Sequence, residues 1–438
     1  MGIDPVAEIK ARIAIEDLVA QYVPLKKAGR QMKALCPFHK ERTPSFYVSP
    51  DRQIAYCFGC RKGGDHFRFI QEIEGLDFRG ALELLADRAG IELPKATPQR
   101  QAMEREKKTE RDRLYELHEH AASFFEEQLW KTKEGENMLS YFKKRGLKEK
   151  IIRDARLGYA PDEPAALFPF LLAKDFTRSE IAASGLAFSR DTSQGNFIDR
   201  FRGRVMFPIE NIMGAVCAFG ARAVKEGDEP KYLNSPETPI YQKNAILLGF
   251  GKARGEIRSR NFAVIVEGYM DALACHQAGF LNVVACSGTA LTETQLSMLK
   301  RFTKDVVFSF DRDGAGKMAT ERALEMGFEA ELSMKVAVWA GSAKDPDECL
   351  REDPKLFEEA LQCAKPAFDY LLDYFSEKFD LTSVDGKKKM LFAILPFAAR
   401  IKGALEIDEC LKTLAAKMGT SLTPIYDELK RYQGKQKV

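Results

Sequence analysis

Residues 262–278 read FAVIVEGYMDALACHQA. A run of five apolar, β-branched-rich residues stops at Glu267, Gly268 lets the chain turn, and apolar residues resume at helical spacing from Tyr269 to Ala278. This predicts a strand running directly into a helix. The pattern recurs downstream as NVVAC, a helix through Thr292 to Phe302, DVVFSF, a helix through Lys317 to Met326, and MKVAVWA. Short strand-like runs alternating with helical spacing predict a parallel sheet with crossover helices.

Acids stand where these strands end. Glu267 and Asp271 lie in VIVEGYMD, Asp311 and Asp313 in FSFDRDGAG, and Asp345 and Asp347 in AKDPDE beyond MKVAVWA. In a parallel sheet, ligands bind outside the carboxyl ends of strands, so three βα loops are expected to bring these acids to one rim. Such a cluster repels itself without cations. Hard oxygen ligands suit Mg²⁺ or Mn²⁺, and two such ions can activate a 3′ hydroxyl and stabilise a leaving pyrophosphate. The plain alternative for any one of these acids is a helix N-cap. Gly314-Ala315-Gly316-Lys317 looks like a phosphate loop but lacks the G-x-x-x-x-G-K-[ST] spacing.

Toward the N-terminus, Cys36-Pro37-Phe38-His39 and Cys57-Phe58-Gly59-Cys60 form two ligand pairs, each with two intervening residues. Two tight turns of this kind complete a tetrahedron, and three thiolates with one imidazole select zinc. Four protein ligands close the sphere, which predicts one structural ion. His66 is expected to start a helix rather than act as a fifth ligand. Between the pairs, two strands are expected, with Phe46, Tyr47, Tyr56 and Phe58 interleaved among basic residues. These rings could stack unpaired bases or fill a small core, and both hold if alternate residues face opposite ways.

The net charge of +3 hides a local excess: Tyr22 to Arg68 contains ten Lys or Arg against three acids. A positive patch of this kind is either a solvated charged face or a surface for an anionic polymer, and its overlap with the metal motif favours the second. The 438 residues, 45% hydrophobic and 30% charged, are ordinary globular usage and too many for one domain. No apolar run approaches the ~18 residues needed to span a bilayer, and the charged N-terminus lacks a signal peptide's apolar block, so a cytoplasmic location is expected. Cys217, Cys275, Cys286, Cys349, Cys363 and Cys410 are scattered singly and are expected to be buried thiols.

The expected architecture is multidomain α+β. It comprises a zinc-binding ribbon domain at 1–94, a hydrated linker or helical connector at 95–113 and a mixed α/β subdomain at 114–258. A parallel-sheet subdomain at 259–353 and a helical subdomain at 354–438 follow.

With CPFH, CFGC, EGYMD, DRDGAG and DPDE in one chain, the sequence resembles the bacterial replicative primases of the DnaG type. DRFRGRVMFPI, FGAR and PKYLNSPET, between Asp199 and Lys243, add to the resemblance. It implies a CHC2-type zinc domain joined to a Toprim catalytic core. It further implies synthesis of short RNA primers on single-stranded DNA from ribonucleoside triphosphates, with an RNA–DNA hybrid as product. Glu267, Asp271, Asp311, Asp313, Asp345 and Asp347 would be the catalytic carboxylates, with magnesium on Glu267, Asp311, Asp313 and Asp345. Arg145, Arg200, Arg202, Arg222, Lys231, Tyr232 and Lys243 match the family's basic region, which holds template and nucleotide phosphates. The family's usual helicase-docking domain is not seen in this chain, although a replicative helicase is an expected partner.

Two other classes share some of these features. A Toprim nuclease or topoisomerase has the acids, but a topoisomerase needs a nucleophilic tyrosine, and nothing local nominates one among the thirteen. A non-catalytic zinc DNA-binding protein leaves the ordered acids unexplained.

Overall fold

The computed structural model describes residues 4–39, 41, 43–74, 78–91, 98–189, 197–225, 227–286 and 290–435. Lys40 and Arg42, counted in the basic ribbon, and residues 95–97 of the linker lie outside them. The chain forms two compact units, Met1–Arg105 and Glu106–Val438.

In the first unit, Asp4 caps the helix Pro5–Arg12 by accepting the Val6 N–H, with proline at the first helical position. A second helix, Ile15–Ala20, follows. Five antiparallel strands then pair in chain order: β1 (Lys26–Ala28), β2 (Gln31–Ala34), β3 (Phe46–Ser49), β4 (Ile54–Cys57) and β5 (Gly63–Gly64). Only two of these were expected, because β1, β2 and β5 have two to four residues and no hydrophobic alternation. Phe46 and Val48 face inward and pack with Ile9, Leu18, Phe69 and Leu85, the last two from helices His66–Glu74 and Phe78–Ala89. Tyr47 lies on the opposite face, directly across from Tyr56.

The second unit contains most of the helix Pro98–Lys131, whose Leu114, Leu117, Ala121, Phe125 and Leu129 are buried. The spacing of these residues is what predicted a helix. Strands β6 (Gly158–Ala160), β9 (Arg204–Glu210), β10 (Val216–Ala223) and β11 (Tyr232–Asn234) form an antiparallel sheet ordered β11-β10-β9-β6. Strands β7 (Ala187–Ser189) and β8 (Phe197–Asp199) pair separately.

The predicted parallel sheet is present. It is built from β12 (Phe262–Val266), β13 (Val283–Ala285), β14 (Asp305–Phe308), β15 (Ser333–Val336) and an antiparallel edge, β16 (Lys365–Pro366). The order is β13-β12-β14-β15-β16. Both faces are buried, as a parallel sheet requires. Ala263, Ile265, Val306 and Phe308 pack with Phe368, Leu371, Ile394 and Leu411 of the helices Ala367–Lys378, Val384–Ala398 and Ala404–Met418. Val264, Val266 and Val307 face the other way, toward Cys275, Cys349 and Phe357. The C-terminal helices therefore share one core with the sheet. Two cysteines depart from expectation: Cys363, in the turn that ends the helix Pro354–Gln362, is exposed, and Cys410, on the helix Ala404–Met418, is half-buried.

Candidate functional site

In the first unit, Cys36 follows β2, Cys57 ends β4, and His39 and Cys60 sit in the adjoining turns. Their ligand atoms all lie within 4.8 Å of one another. Cys36 Sγ is 3.7 Å from Cys60 Sγ, and Cys57 Sγ is 3.8 Å from His39 Nδ1. A tetrahedron with Zn–S bonds of about 2.3 Å has edges of about 3.8 Å, so the donor set fits zinc in both chemistry and spacing. Sequence reading missed Glu41. Its carboxylate lies 3.2 Å from His39 Nε2 and accepts the N–H groups of Cys36 at 2.7 Å and Ser45 at 3.0 Å. That leaves Nδ1 for the ion and locks the ring, as second-shell carboxylates do. No spacing rule would have found it. His66 is buried at the start of its helix, with Nε2 on the Ile13 carbonyl at 2.7 Å, away from the thiols.

On the outer face of the ribbon, Phe58 is 68% exposed and meets Tyr47 and Tyr56 edge-on, with centroids 5.5 and 5.3 Å away. Lys33 pairs across the strands with Tyr47. Phe46 fills the core, while Tyr47, Tyr56 and Phe58 lie outside it.

In the second unit, β12, β14 and β15 are adjacent, so the loops after them meet. Glu267 Oε1 accepts the Asp311 N–H at 3.0 Å. Asp271 sits in the first turn of the helix Tyr269–Gln277 and accepts the Gly268 N–H at 3.1 Å. Asp313 caps the helix Gly314–Glu329 through the Gly316 N–H at 2.8 Å, and Asp345 caps Pro346–Glu352 through the Glu348 N–H at 2.7 Å. The cap alternative therefore holds for these two, without removing their remaining oxygens from the rim. Gly316 is explained by packing, since a Cβ there would lie 2.1 Å from the Asp311 carbonyl oxygen.

Four of the acids, Glu267, Asp271, Asp311 and Asp345, line one cavity of about 260 Å³. Arg145, Arg222, Lys231 and Tyr232 line it too. Asp313 and Asp347 do not. Asp347 is fully buried and ion-paired with the Arg145 guanidinium and, at 3.4 Å, with Arg351 Nε. Its N–H donates to Asp271 Oδ1 at 3.2 Å. Arg200, Arg202 and Lys243 also lie outside the cavity lining. Arg200 Nε donates to the Gly185 carbonyl at 2.7 Å, Arg202 Nη1 donates to the Asp199 carbonyl at 3.0 Å, and the Lys243 backbone N–H donates to Glu237 at 2.8 Å.

Burial and mutual repulsion act together on the acids. Burial, then Asp271, Glu267 and Asp345, push the Asp311 carboxyl up to about 8. Burial, then Asp345, push Asp271 up to about 7. Burial also raises Glu267 and Asp345. Asp311 Oδ1 is buried with no hydrogen-bond partner in the structure. A buried, unpartnered carboxylate oxygen among like charges fits a divalent cation in chemistry and charge.

Tyr269 is a further residue that sequence reading passed over. Its ring stacks on Phe207 at 4.9 Å and on Tyr232 at 6.4 Å, and its hydroxyl donates to Asn234 Oδ1 at 2.6 Å. A Cβ on Gly220 would lie 2.2 Å from that hydroxyl, so glycine is what lets the ring cross β10. The Arg222 guanidinium lies 5.3 Å from the Tyr232 ring centre and 5.6 Å from that of Tyr141. A larger cavity, about 750 Å³, is lined by Ala272, Leu273, His276 and Gln277 of the helix Tyr269–Gln277 and by none of the six acids.

Comparison with known proteins agrees with this geometry. Residues 3–101 match the family described as CHC2 zinc finger, 124–254 the DNA primase catalytic core N-terminal domain, and 264–350 the Toprim-like family. Residues 368–423 match the DnaB-helicase binding domain of primase. That last match corrects the expectation that no helicase-docking region is seen in this chain; a three-helix surface carries no motif that local spacing reveals. The DNA primase of Halalkalibacterium halodurans is 37% identical over 437 residues, covering 98% of this chain and 72% of that protein. The DNA primase of Enterococcus faecalis is 35% identical over 444 residues, covering 99% and 70%. Among solved structures, the zinc-binding and RNA polymerase domains of Aquifex aeolicus primase superpose with a TM-score of 0.62 at 29% identity, covering 97% of this chain and 99% of that one. A DnaG primase catalytic domain bound to single-stranded DNA superposes with a TM-score of 0.63 at 29% identity, covering 72% and 99%.

A closed Cys₃His zinc ribbon followed by an acid-rimmed Toprim sheet defines a metal-dependent nucleotidyltransferase. The chain belongs to the bacterial DnaG-type DNA primase family, whose members are RNA polymerases that make primers. One structural zinc and a catalytic divalent-metal site belong to that assignment, and the rival nuclease, topoisomerase and non-catalytic readings fall away.

Proposed function

We propose that the cavity edged by Glu267, Asp271, Asp311 and Asp345 is where ribonucleotides are joined on a single-stranded DNA template. The observation that carries this is the pairing of four acids with Arg145, Arg222 and Lys231 around one small cavity. Opposite charges facing each other across about 260 Å³ suit a triphosphate, which needs cations on every side. Glu267, Asp311 and Asp345, with Asp313 beside them, would hold Mg²⁺ or Mn²⁺; the ions supply charge neutralisation and a lowered pKa at the attacking hydroxyl. Arg145, Arg222 and Lys231 bind substrate phosphates, and Tyr232, 40% exposed, offers a ring face to a base. Asp271 and Asp347 act from behind, Asp271 on the Gly268 and Asp347 amides and Asp347 on Arg145. Lys231, exposed at the cavity's edge, also meets the template strand, and Arg202 and Lys243 continue that path outside the cavity, with Arg200 packed beneath it on the Gly185 carbonyl.

In this reading the Lys33, Tyr47, Tyr56 and Phe58 face of the ribbon contacts template bases. The division into 1–94, 95–113, 114–258, 259–353 and 354–438 follows function: template reading, connection, strand and nucleotide binding, metal binding, and helicase docking. A replicative helicase is the partner of the helical segment, residues 368–423. Among the described residues no helix is long and apolar enough to cross a membrane, in keeping with replication in the cytoplasm. Incubation with a single-stranded template, labelled ribonucleotides and Mg²⁺ or Mn²⁺ tests the reading. Short new RNA that disappears in Asp311→Ala supports it; wild-type yield from that variant sinks it.

A further inference from the structure

Gln277 ends the helix Tyr269–Gln277 at the turn farthest from the acids. Both ends of its side-chain amide are used on one loop. Nε2 donates to the Gly146 carbonyl at 2.9 Å, and Oε1 accepts the Lys148 N–H at 2.7 Å. That loop is the turn out of Arg145, the residue that closes the helix Lys133–Lys144 and lines the acidic cavity. At the other end of Gln277's own helix, Asp271 accepts the N–H of Asp347, and Asp347 pairs with Arg145. One nine-residue helix therefore grips both members of the Arg145–Asp347 pair.

Asp347 by itself leaves the guanidinium underdetermined. It meets Arg145 through Nη2, while Arg145 Nε is buried without a hydrogen-bond partner, so the two-point fork that would fix the plane is not formed. The side chain's direction then depends on where its backbone is held. Backbone N–H groups of Arg145, Gly146 and Leu147 donate to the Tyr141, Lys143 and Phe142 carbonyls and close the turn on its own helix, and the two amide contacts of Gln277 then fix that turn relative to the helix that carries Asp271.

We infer that Gln277 is a positioning residue for primer synthesis, holding the 146–148 loop so that Arg145 stays on the wall of the nucleotide cavity. This rests on the phosphate-binding role proposed for Arg145. A purely structural role would be felt as lost stability; a positioning role is felt as weakened nucleotide binding that runs through Arg145.

Gln277→Met keeps the length of the side chain but removes both hydrogen bonds, at a half-buried position where methionine fits. With nucleotide varied at saturating template, KM should rise about 3- to 10-fold, the equivalent of one net hydrogen bond, while kcat and the melting temperature stay near wild type. Gln277→Glu, which keeps the acceptor for Lys148 N–H, should recover part of the loss. In an Arg145→Ala background, Gln277→Met should add nothing further. If Gln277→Met leaves KM unchanged while Arg145→Ala raises it, the inference falls and the role of Arg145 stands. If Arg145→Ala itself leaves KM unchanged, the role of Arg145 falls and the inference with it. A Gln277→Met effect that persists in full without Arg145 also overturns it.

Discussion

The Asp311 N–H donates to Glu267 Oε1 at 3.0 Å, which joins two strand-end loops that lie 44 residues apart. Both residues carry half-buried carboxylates, and this amide satisfies one oxygen of Glu267 while Asp311 Oδ1 remains unpartnered. Asp311→Asn should therefore lower primer synthesis by about 100-fold or more, because it removes one charge from the cation site. In metal-free buffer above pH 8, where the carboxyl is ionised, the same variant should melt no earlier than wild type, since the half-buried charge it removes is destabilising there. Primer yield and calorimetry on one preparation check both halves.

The pH dependence follows with a definite sign. Asp271 and Asp311 are raised from an ordinary 3.8 to about 7 and about 8, so the folded protein binds more protons than the unfolded chain between these values. Their contribution to stability is complete below the unfolded value and is lost as pH rises toward about 8. Without divalent metal, melting temperature should fall between pH 6 and 8.5 more steeply in wild type than in Asp311→Asn. Added Mg²⁺ should raise it more at pH 8 than at pH 6, because metal and proton compete for the same oxygens. Equal Mg²⁺ shifts at the two pH values would refute this.

Glu41 fixes the His39 ring from behind. Glu41→Gln should release zinc to a chelator with about 10- to 100-fold lower affinity, the usual cost of losing such a partner. Zinc content after dialysis against graded chelator reads it directly, and Cys57→Ser serves as the variant that loses a ligand outright.

Tyr269 and Gly220 make a matched pair. Tyr269→Phe should cost about 1 kcal/mol, the hydrogen bond to Asn234. Gly220→Ala should cost more, on the order of 2 to 3 kcal/mol, because the added carbon collides with the ring as well as the hydroxyl. Tyr269→Phe should not rescue Gly220→Ala, since ring carbon Cζ alone would stand 2.3 Å from the new Cβ. Denaturant titration of the three variants decides it.

Lys231 and Arg200 should separate in their salt response. Lys231 is exposed on the cavity edge, so Lys231→Ala should flatten the dependence of single-strand affinity on salt by about 0.7 in slope. Arg200 is half-buried, bonded to the Gly185 carbonyl and 5.6 Å from the Phe188 ring centre. Arg200→Ala should destabilise the fold by about 1 to 2 kcal/mol. Template titrations at three salt concentrations, beside denaturation curves, distinguish phosphate contact from packing.

The features legible in the sequence are those set by neighbours along the chain. The Cys36, His39, Cys57 and Cys60 turns, the strand-then-helix reading of FAVIVEGYMDALACHQA and the placement of acids at strand ends all depend on residues within one or two turns, and spacing alone exposes them. Tertiary structure decided how these local pieces meet. The strands carrying Glu267, Asp311 and Asp345 became neighbours through the order β12-β14-β15, leaving β13 at the edge. Asp347, indistinguishable in DPDE from Asp345, was turned inward to Arg145, a residue 202 positions away. Tyr269 and Gln277 acquired their contacts in the same way, whereas Glu41 meets Cys36, His39 and Ser45 within five residues along the chain, in a turn that no pattern of residue types marks. Such pairings come from long-range packing that buries both faces of a sheet at once, and periodicity along a chain does not specify which distant side chain fills the space opposite.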